Sequence, residues 1–270
     1  MMKNNLPLSD MLPSGVCRYE ELKNDLLPCR ALSRIPENAK SVIVYLFPYY
    51  LGEKYYENSD ISKYAVPDDY HFIVSKYLNE AVFKLKEMFP EYVFEAFCDN
   101  SPLKEVNAAC LSGLGVKGEN GLLINEKYGS FCFIGEIITD KIFEYSEKNK
   151  SSCLKCGLCL KACPGNALKN GCVSKENCLS DITQKKGELS PENREMIKKS
   201  GCVWGCDVCQ DVCPLNKHIE LSPVKEFYET AKPVFKAGDS VKNRAFSWRG
   251  ENVINRNVKI LCCNNEKNQL

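Results

Sequence analysis

The chain has 270 residues, a formal net charge of +1 and 26% charged residues, the balance of a globular protein with a buried core rather than of a tail or a fibre. No apolar run approaches the roughly 18 residues that a bilayer span takes, and the opening MMKNNLPLSDMLPSG lacks the basic start and apolar centre of an export signal, so a cytoplasmic protein with no membrane partner is expected. Seventeen cysteines, odd in number and without an export signal, speak against a disulfide framework and for reduced thiolates that bind metal.

The first predicted element is a buried strand in SVIVYLFPYY, β-branched and apolar from Ser41 to Phe47 and ended by Pro48. DDYHFIVSKYLNEAVFKLKEMF follows as a helix. Its residues Tyr70, Ile73, Val74, Tyr77, Leu78, Ala81, Val82, Leu85 and Phe89 recur at three- and four-residue steps, with Asp68 and Asp69 at the N-terminal end and Pro90 just past the other. A second strand is expected over Tyr92 to Asp99, then an Asn-Ser-Pro turn into a helix from Val106 to Leu111. Beyond the glycine-rich loop GLGVKGENG, the runs LLI and SFCFIGEII predict two further strands.

The expected fold is α+β in three parts. Residues 1–143 form a mixed α/β domain, residues 144–217 a cysteine-rich module entered through the polar linker EYSEKNK, and residues 218–270 a short helical tail in which VINRNVKIL is the clearest helix. From Lys217 to Lys259 the tail carries nine Lys or Arg against five Asp or Glu, a local basic bias in an otherwise neutral chain. Gly113, Gly115 and Gly118 spell G-x-G-x-x-G, but that fingerprint should follow a strand and open a helix, whereas here it follows a helix and enters strands. Two readings stay open for it, a close approach of backbone to a bulky cofactor and a plain glycine turn.

The cysteines carry the strongest signal. SSCLKCGLCLKACPGNAL reads C-x2-C-x2-C-x3-C-P, the run of bacterial two-cluster ferredoxins, and GCVWGCDVCQDVCPLNK supplies a second run. In such modules the fourth cysteine of each run serves the other cluster. One 4Fe-4S cluster then takes Cys153, Cys156, Cys159 and Cys213, and the other takes Cys163, Cys206 and Cys209 plus one more ligand. Spacing favours Cys202 for that place and leaves Cys178 and Cys172 open. Structural zinc also uses paired C-x2-C units, but eight interleaved ligands with Cys-Pro ends favour clusters. Cys17, Cys29, Cys98, Cys110, Cys132, Cys262 and Cys263 are expected as small core residues.

The blocks ISKYAVPDDYH, FCDNSPLKE, GLGVKGENGLLINEKYGSFCFIGEI, the first cysteine run, ENCLSDIT and GCDVCQDVCPLNK, in that order over residues 30 to 260, resemble the epoxyqueuosine reductases, relatives of the reductive dehalogenases. The resemblance implies a base-off cobalamin in the N-terminal domain, two 4Fe-4S clusters in a ferredoxin-like module, and reduction of epoxyqueuosine to queuosine in transfer RNA. It also implies Cys178 as the last cluster ligand and Asp99, in CDNSP, as the proton donor. A helix cap is the plain alternative for Asp99. Tyr70 and His71 match the family's DYH block and become candidates for the substrate pocket. Asp69-Tyr-His71 also begins like the D-x-H-x-x-G signature of histidine-ligated cobalt, but Val74 stands where the glycine would, so His71 is not expected on cobalt. Val116 and Glu119 depart from the aromatic and basic residues that family members often place in the glycine loop.

The expected partners are transfer RNA, met by Lys242, Arg244, Arg249 and Arg256, and a reduced flavodoxin- or ferredoxin-type electron donor, with the chain a monomer. The competing functions are a cobalamin and iron-sulfur reductase of a small molecule, an activator of a corrinoid protein, and a ferredoxin-like electron carrier without cobalamin.

Overall fold

A computed structural model describes residues 6–262; Cys263, expected in the core, lies outside the described residues. Contacts divide the chain into two units. The first takes the chain up to Pro48, then His71–Gly118 and Leu122–Leu154, and the second takes Tyr49–Tyr70, Glu119–Gly121 and the chain from Lys155 onward.

In the first unit β1 (Ser14–Arg18), β2 (Ser41–Pro48), β3 (Phe94–Cys98) and β6 (Cys132–Thr139) form an antiparallel sheet in the order β1-β2-β6-β3. Every residue of β2 is buried, as an unbroken apolar run requires when both faces of a sheet are covered. One cover is α1 (Tyr70–Met88), whose Val74, Leu78, Ala81 and Leu85 are buried. Gly135 of β6 lies beneath it, and a Cβ there would come within 3.1 Å of Phe47 and Leu78 side-chain atoms. The other cover is α2 (Glu105–Leu111), packed on β1, β2 and β6. Ala108 and Ala109 join Val42, Val44, Leu46, Phe97, Ile134 and Ile138 in that core. The glycine loop holds a small hairpin, β4 (Val116–Lys117) with β5 (Leu123–Ile124).

Residues 144–150, expected as a free linker, are stitched to β1: Ser146 N–H donates to the Val16 carbonyl and its Oγ accepts from Val16 N–H, both at 2.9 Å. This covers the open edge of β1, which the sequence reading did not predict.

The second unit is built of short elements: α3 (Leu158–Ala162), the hairpin β7 (Leu168–Lys169) and β8 (Cys172–Val173), α4 (Leu179–Gln184), α5 (Pro191–Ser200), α6 (Val208–Asp211), α7 (Lys225–Glu229) and α8 (Glu251–Cys262). Ser190 caps α5, accepting from Asn193 N–H at 3.3 Å, with Pro191 in the first turn and left-handed Gly201 at the end. Two cores hold the unit. Ile61, Val66, Trp204, Phe246, Val253, Ile254 and Val258 form one, and Leu179, Ile182, Ile197 and Ile260 the other. The excursion Tyr49–Tyr70 thus belongs with the cysteine-rich segment rather than with the first domain, Ser62 N–H donating to the Trp204 carbonyl at 2.8 Å. The tail expected as a separate part joins the same unit. Asn257 of α8 is fully buried, and its Nδ2 donates to the carbonyls of Thr183 and Val203, both at 2.8 Å.

Candidate active site and metal centres

The end of β3 carries the acidic residue that the sequence singled out. Asp99 and Asn100 follow the strand in the left-handed region, with φ of 51° and 40°, a conformation Asp and Asn tolerate better than most side chains. The Asp99 side chain is 56% exposed and its Oδ2 lies 3.1 Å from Nε2 of His71, the second residue of α1. Its Oδ1 accepts the Asn100 N–H at 2.7 Å. Asp99 is not the cap of α2, since Lys104 holds that position without a side-chain bond.

Behind Asp99 lie two carboxyls that the sequence reading missed. Glu136 is fully buried in β6, and Glu105 opens α2. Burial, then the charges of Glu136 and Asp99, push the Glu105 carboxyl up to about 8, against the Asp99 backbone N–H, which favours its charged form. Burial pushes Glu136 up to about 7, partly offset by its hydrogen bond from Ser101. The signal was a lone Glu inside the apolar run SFCFIGEII.

His71 joins Asp99, while Tyr70 turns its ring to Tyr64, 6.4 Å between centroids at 76°, beside the second unit's core. The glycines serve the fold. A Cβ on Gly113, at φ 74°, would meet the Glu147 carbonyl oxygen at 2.2 Å, and one on Gly115 would meet that of Ile124. Gly118 N–H donates to the Leu122 carbonyl at 2.8 Å. The close approach permitted at Gly113 and Gly115 is to the chain's own backbone.

The thiols fit iron-sulfur clusters. Among the described residues no cysteine is joined in a disulfide. Burial, then the charges of Asp207, Cys178 and Cys163, push the Cys206 thiol up to about 11, against the Val208 backbone N–H; burial followed by Cys206, Cys178 and Cys163 pushes Cys209 up to about 12. Cys163 and Cys178 therefore each stand within electrostatic reach of Cys206 and Cys209, soft thiolates of the kind a cubane takes, although among the described residues no three His, Cys, Asp or Glu are grouped closely enough to hold a single metal ion. Cys178 is brought there as the first residue before α4. Cys202 feels Cys206 but commits its Sγ to the Trp204 and Gly205 carbonyls at 3.1 and 3.3 Å. Cys163 Sγ accepts the Ala167 N–H at 3.2 Å, a bond that would ease negative charge on a cluster ligand. In the first run, left-handed Gly157 turns the chain into α3, which carries Cys159 and packs on α6, which carries Cys209. Cys153 and Cys213 are half-buried and Cys156 is exposed.

Of the other cysteines, Cys17 is buried, Cys29, Cys98, Cys110 and Cys132 are half-buried, and Cys262 is exposed rather than in the core. Among the basic residues, Arg244 is 4% exposed and its Nη2 donates to the carbonyls of Ala65 and Lys232 at 2.8 and 2.9 Å. Arg256 donates to the carbonyls of Lys185 and Gly187 at 2.6 and 2.7 Å. These two guanidiniums brace the fold instead of facing phosphate. Lys242 is exposed, and Arg249 stacks 3.9 Å over the ring of exposed Trp248. Among the described residues no helix is long and apolar enough to cross a membrane.

Residues 152–216 match the family described as a 4Fe-4S double cluster binding domain, and residues 30–100 match Epoxyqueuosine reductase QueG, DUF1730. The chain is 38% identical to the epoxyqueuosine reductase of Cyclobacterium marinum over 68% of its own length and 61% of that protein's, so it spans about three fifths of that relative. To the epoxyqueuosine reductase of Leadbetterella byssophila it is 32% identical, over 79% of this chain and 71% of that one. Its fold is similar to an epoxyqueuosine reductase crystallised with a tRNA-Tyr epoxyqueuosine-modified stem loop, with TM-score 0.72 and 28% identity over 83% of this chain and 64% of the other. Two family matches in order along the chain, and a relative this similar over most of both lengths, establish that the chain belongs to the epoxyqueuosine reductase family.

Proposed function

We propose that the chain is an oxidoreductase that reduces epoxyqueuosine to queuosine in transfer RNA. The observation that carries this reading is the exposed Asp99 carboxyl at the end of β3, 3.1 Å from His71, in a chain whose relatives bear this activity in their names. Removing an epoxide oxygen takes two electrons and two protons: both carbon–oxygen bonds break, a carbon–carbon double bond forms and the oxygen leaves as water. When bound, 4Fe-4S clusters carry single electrons and cobalamin supplies a reduced metal for the bond cleavage.

The chain's residues have separable tasks. Cys153, Cys156, Cys159 and Cys213 would hold one cluster, and Cys163, Cys178, Cys206 and Cys209 the other. Asp99 would give a proton to the departing oxygen, where His71 fixes the orientation of its carboxyl. Lys242 and Arg249 remain as groups for phosphate. The electron donor proposed is a reduced flavodoxin- or ferredoxin-type protein.

The test is single-turnover conversion of an epoxyqueuosine-bearing tRNA stem loop by anaerobically purified, cluster- and cobalamin-loaded protein. Formation of queuosine, slowed about 10²- to 10⁴-fold in Asp99→Asn with its clusters intact, is expected. Loaded protein that leaves the stem loop unchanged overturns the reading. A smaller substrate is the second reading, favoured because Arg244 and Arg256 are spent inside the fold; reduction of the free epoxyqueuosine nucleoside without the stem loop would select it.

A further inference from the structure

Three carboxyls gather where β3 leads into α2, and the reaction proposed above uses only Asp99. Glu136 sits in the central strand, opposite Val44 of β2 and Phe97 of β3. The Ser101 hydroxyl donates to Glu136 Oε2 and also accepts the Leu103 N–H at 3.1 Å. Glu105 receives the Asp99 backbone N–H. In each glutamate Oε1 is sealed from solvent without a hydrogen-bond partner among the described residues. A carboxylate oxygen sealed from water without a partner is costly, which favours the neutral form of each glutamate.

The segment these carboxyls hold is the one that carries Asp99. Its first two residues are left-handed, a conformation that is strained away from glycine. It is tied at two points, the Asp99 amide on Glu105 and the Ser101 hydroxyl on Glu136. We propose that Glu105 and Glu136 are positioning residues that, as neutral carboxyls, anchor the Asp99 segment to the central strand, so that the Asp99 carboxyl is presented at a fixed height beside His71. This rests on Asp99 being the acid of the proposed reaction.

The groups facing the pair bear on its response to pH. Asp99 adds negative charge at Glu105, and His71, when protonated, opposes it. From β1, Cys17 faces Glu136 with its thiol held neutral by burial. Val44, Phe97 and Ser101 are uncharged. As these carboxyls ionise at alkaline pH, charge is buried without a partner and the anchor weakens, so the rate falls on the alkaline side.

Two measurements on cluster-loaded protein without substrate test the anchor. Infrared difference spectra at pH 6.5 should contain buried protonated-carboxyl absorption that weakens in Glu136→Gln. Hydrogen exchange of the amides from Asp99 to Leu103 should speed up at least tenfold in Ser101→Ala and in Glu105→Ala, and much less in Glu105→Gln, which keeps an acceptor. With the stem loop, Ser101→Ala and Glu105→Ala should lower kcat about tenfold at unchanged KM, Glu105→Gln should recover most of that loss, and Glu136→Gln should lose the alkaline fall in rate. Unchanged exchange in both alanine variants, or no carboxyl band in the parent protein, overturns the proposal. If band and exchange behave as stated while the loaded parent converts no stem loop, the anchor stands and the assigned reaction fails.

Discussion

Replacing Glu136 by Gln removes one ionisable group from the middle of β6 while keeping the side chain's shape and an acceptor for the Ser101 hydroxyl. The Glu136 carboxyl is pushed up from its ordinary 4.5 to about 7 by burial. In acid, folded and unfolded chains both carry this proton. Between about pH 5 and pH 7 the unfolded chain releases it while the folded chain keeps it, so the folded state binds more protons and stability falls as pH rises. A shift of about 2.5 units at roughly 1.4 kcal/mol each gives about 3 kcal/mol, and Glu105 is not added because Glu136→Gln leaves it in place. For a chain of this size that corresponds to roughly 6–12 °C in Tm. Thermal melts of the cluster-loaded protein, followed by circular dichroism in steps from pH 5 to pH 7.5, should show Glu136→Gln gaining on the parent by that amount as pH rises. Melting curves that stay parallel across the range would refute the placement of a protonated carboxyl in this strand.

Other substitutions separate the metal ligands from their neighbours and the structural arginines from any that meet RNA. Cys178→Ser should lose about four irons per chain on reconstitution, one cubane's worth, and Cys202→Ser none; the opposite result would return the ligand to the position that spacing favoured. Arg244→Ala leaves the carbonyls of Ala65 and Lys232 without their donor and should cost about 2–4 kcal/mol in denaturant melts. Lys242→Ala should stay within about 0.5 kcal/mol of the parent and instead reduce the salt slope of stem-loop binding by about 1; an unchanged slope would remove Lys242 from the interface.

What could be read from the sequence was what local pattern determines. Strand β2 and helix α1 were legible because one is buried on both faces and the other on a single stripe, which leaves an unbroken apolar run and a three-and-four spacing. Strand β1 was not, since five residues flanked by polar sequence become a strand only through pairing with β2. The excursion Tyr49–Tyr70 was assigned to the first domain by adjacency, whereas its bridge from Ile61 to Trp204 and the packing of Ile61 and Val66 place it in the other unit. For the last cluster ligand, spacing along the chain ranks Cys202 first, yet α4 carries Cys178 toward Cys206 and Cys209 through a fold that spacing does not encode. The glycines show a different limit: a turn that hugs its own backbone and a turn that hugs a cofactor require the same missing Cβ.

Buried carboxyls at this place are hard to explain as stabilisers. Val44 and Phe97 flank Glu136 in the sheet, and an apolar residue in that position would keep the core continuous. Removing one partner of the Ser101–Glu136 bond leaves the other unsatisfied and should destabilise, whereas replacing both by apolar groups can be neutral or better. The double variant Ser101→Ala/Glu136→Leu should therefore melt at or above the parent at pH 7, although each single change alone melts lower or gains less. Its Asp99 segment, freed from the strand, should exchange amide protons faster than in the parent and turn over the stem loop more slowly. Stability that rises while order and rate at Asp99 fall would mean that the pair is kept for the geometry of the acid. A double variant less stable than the parent by more than about 1 kcal/mol would make the pair a structural network instead.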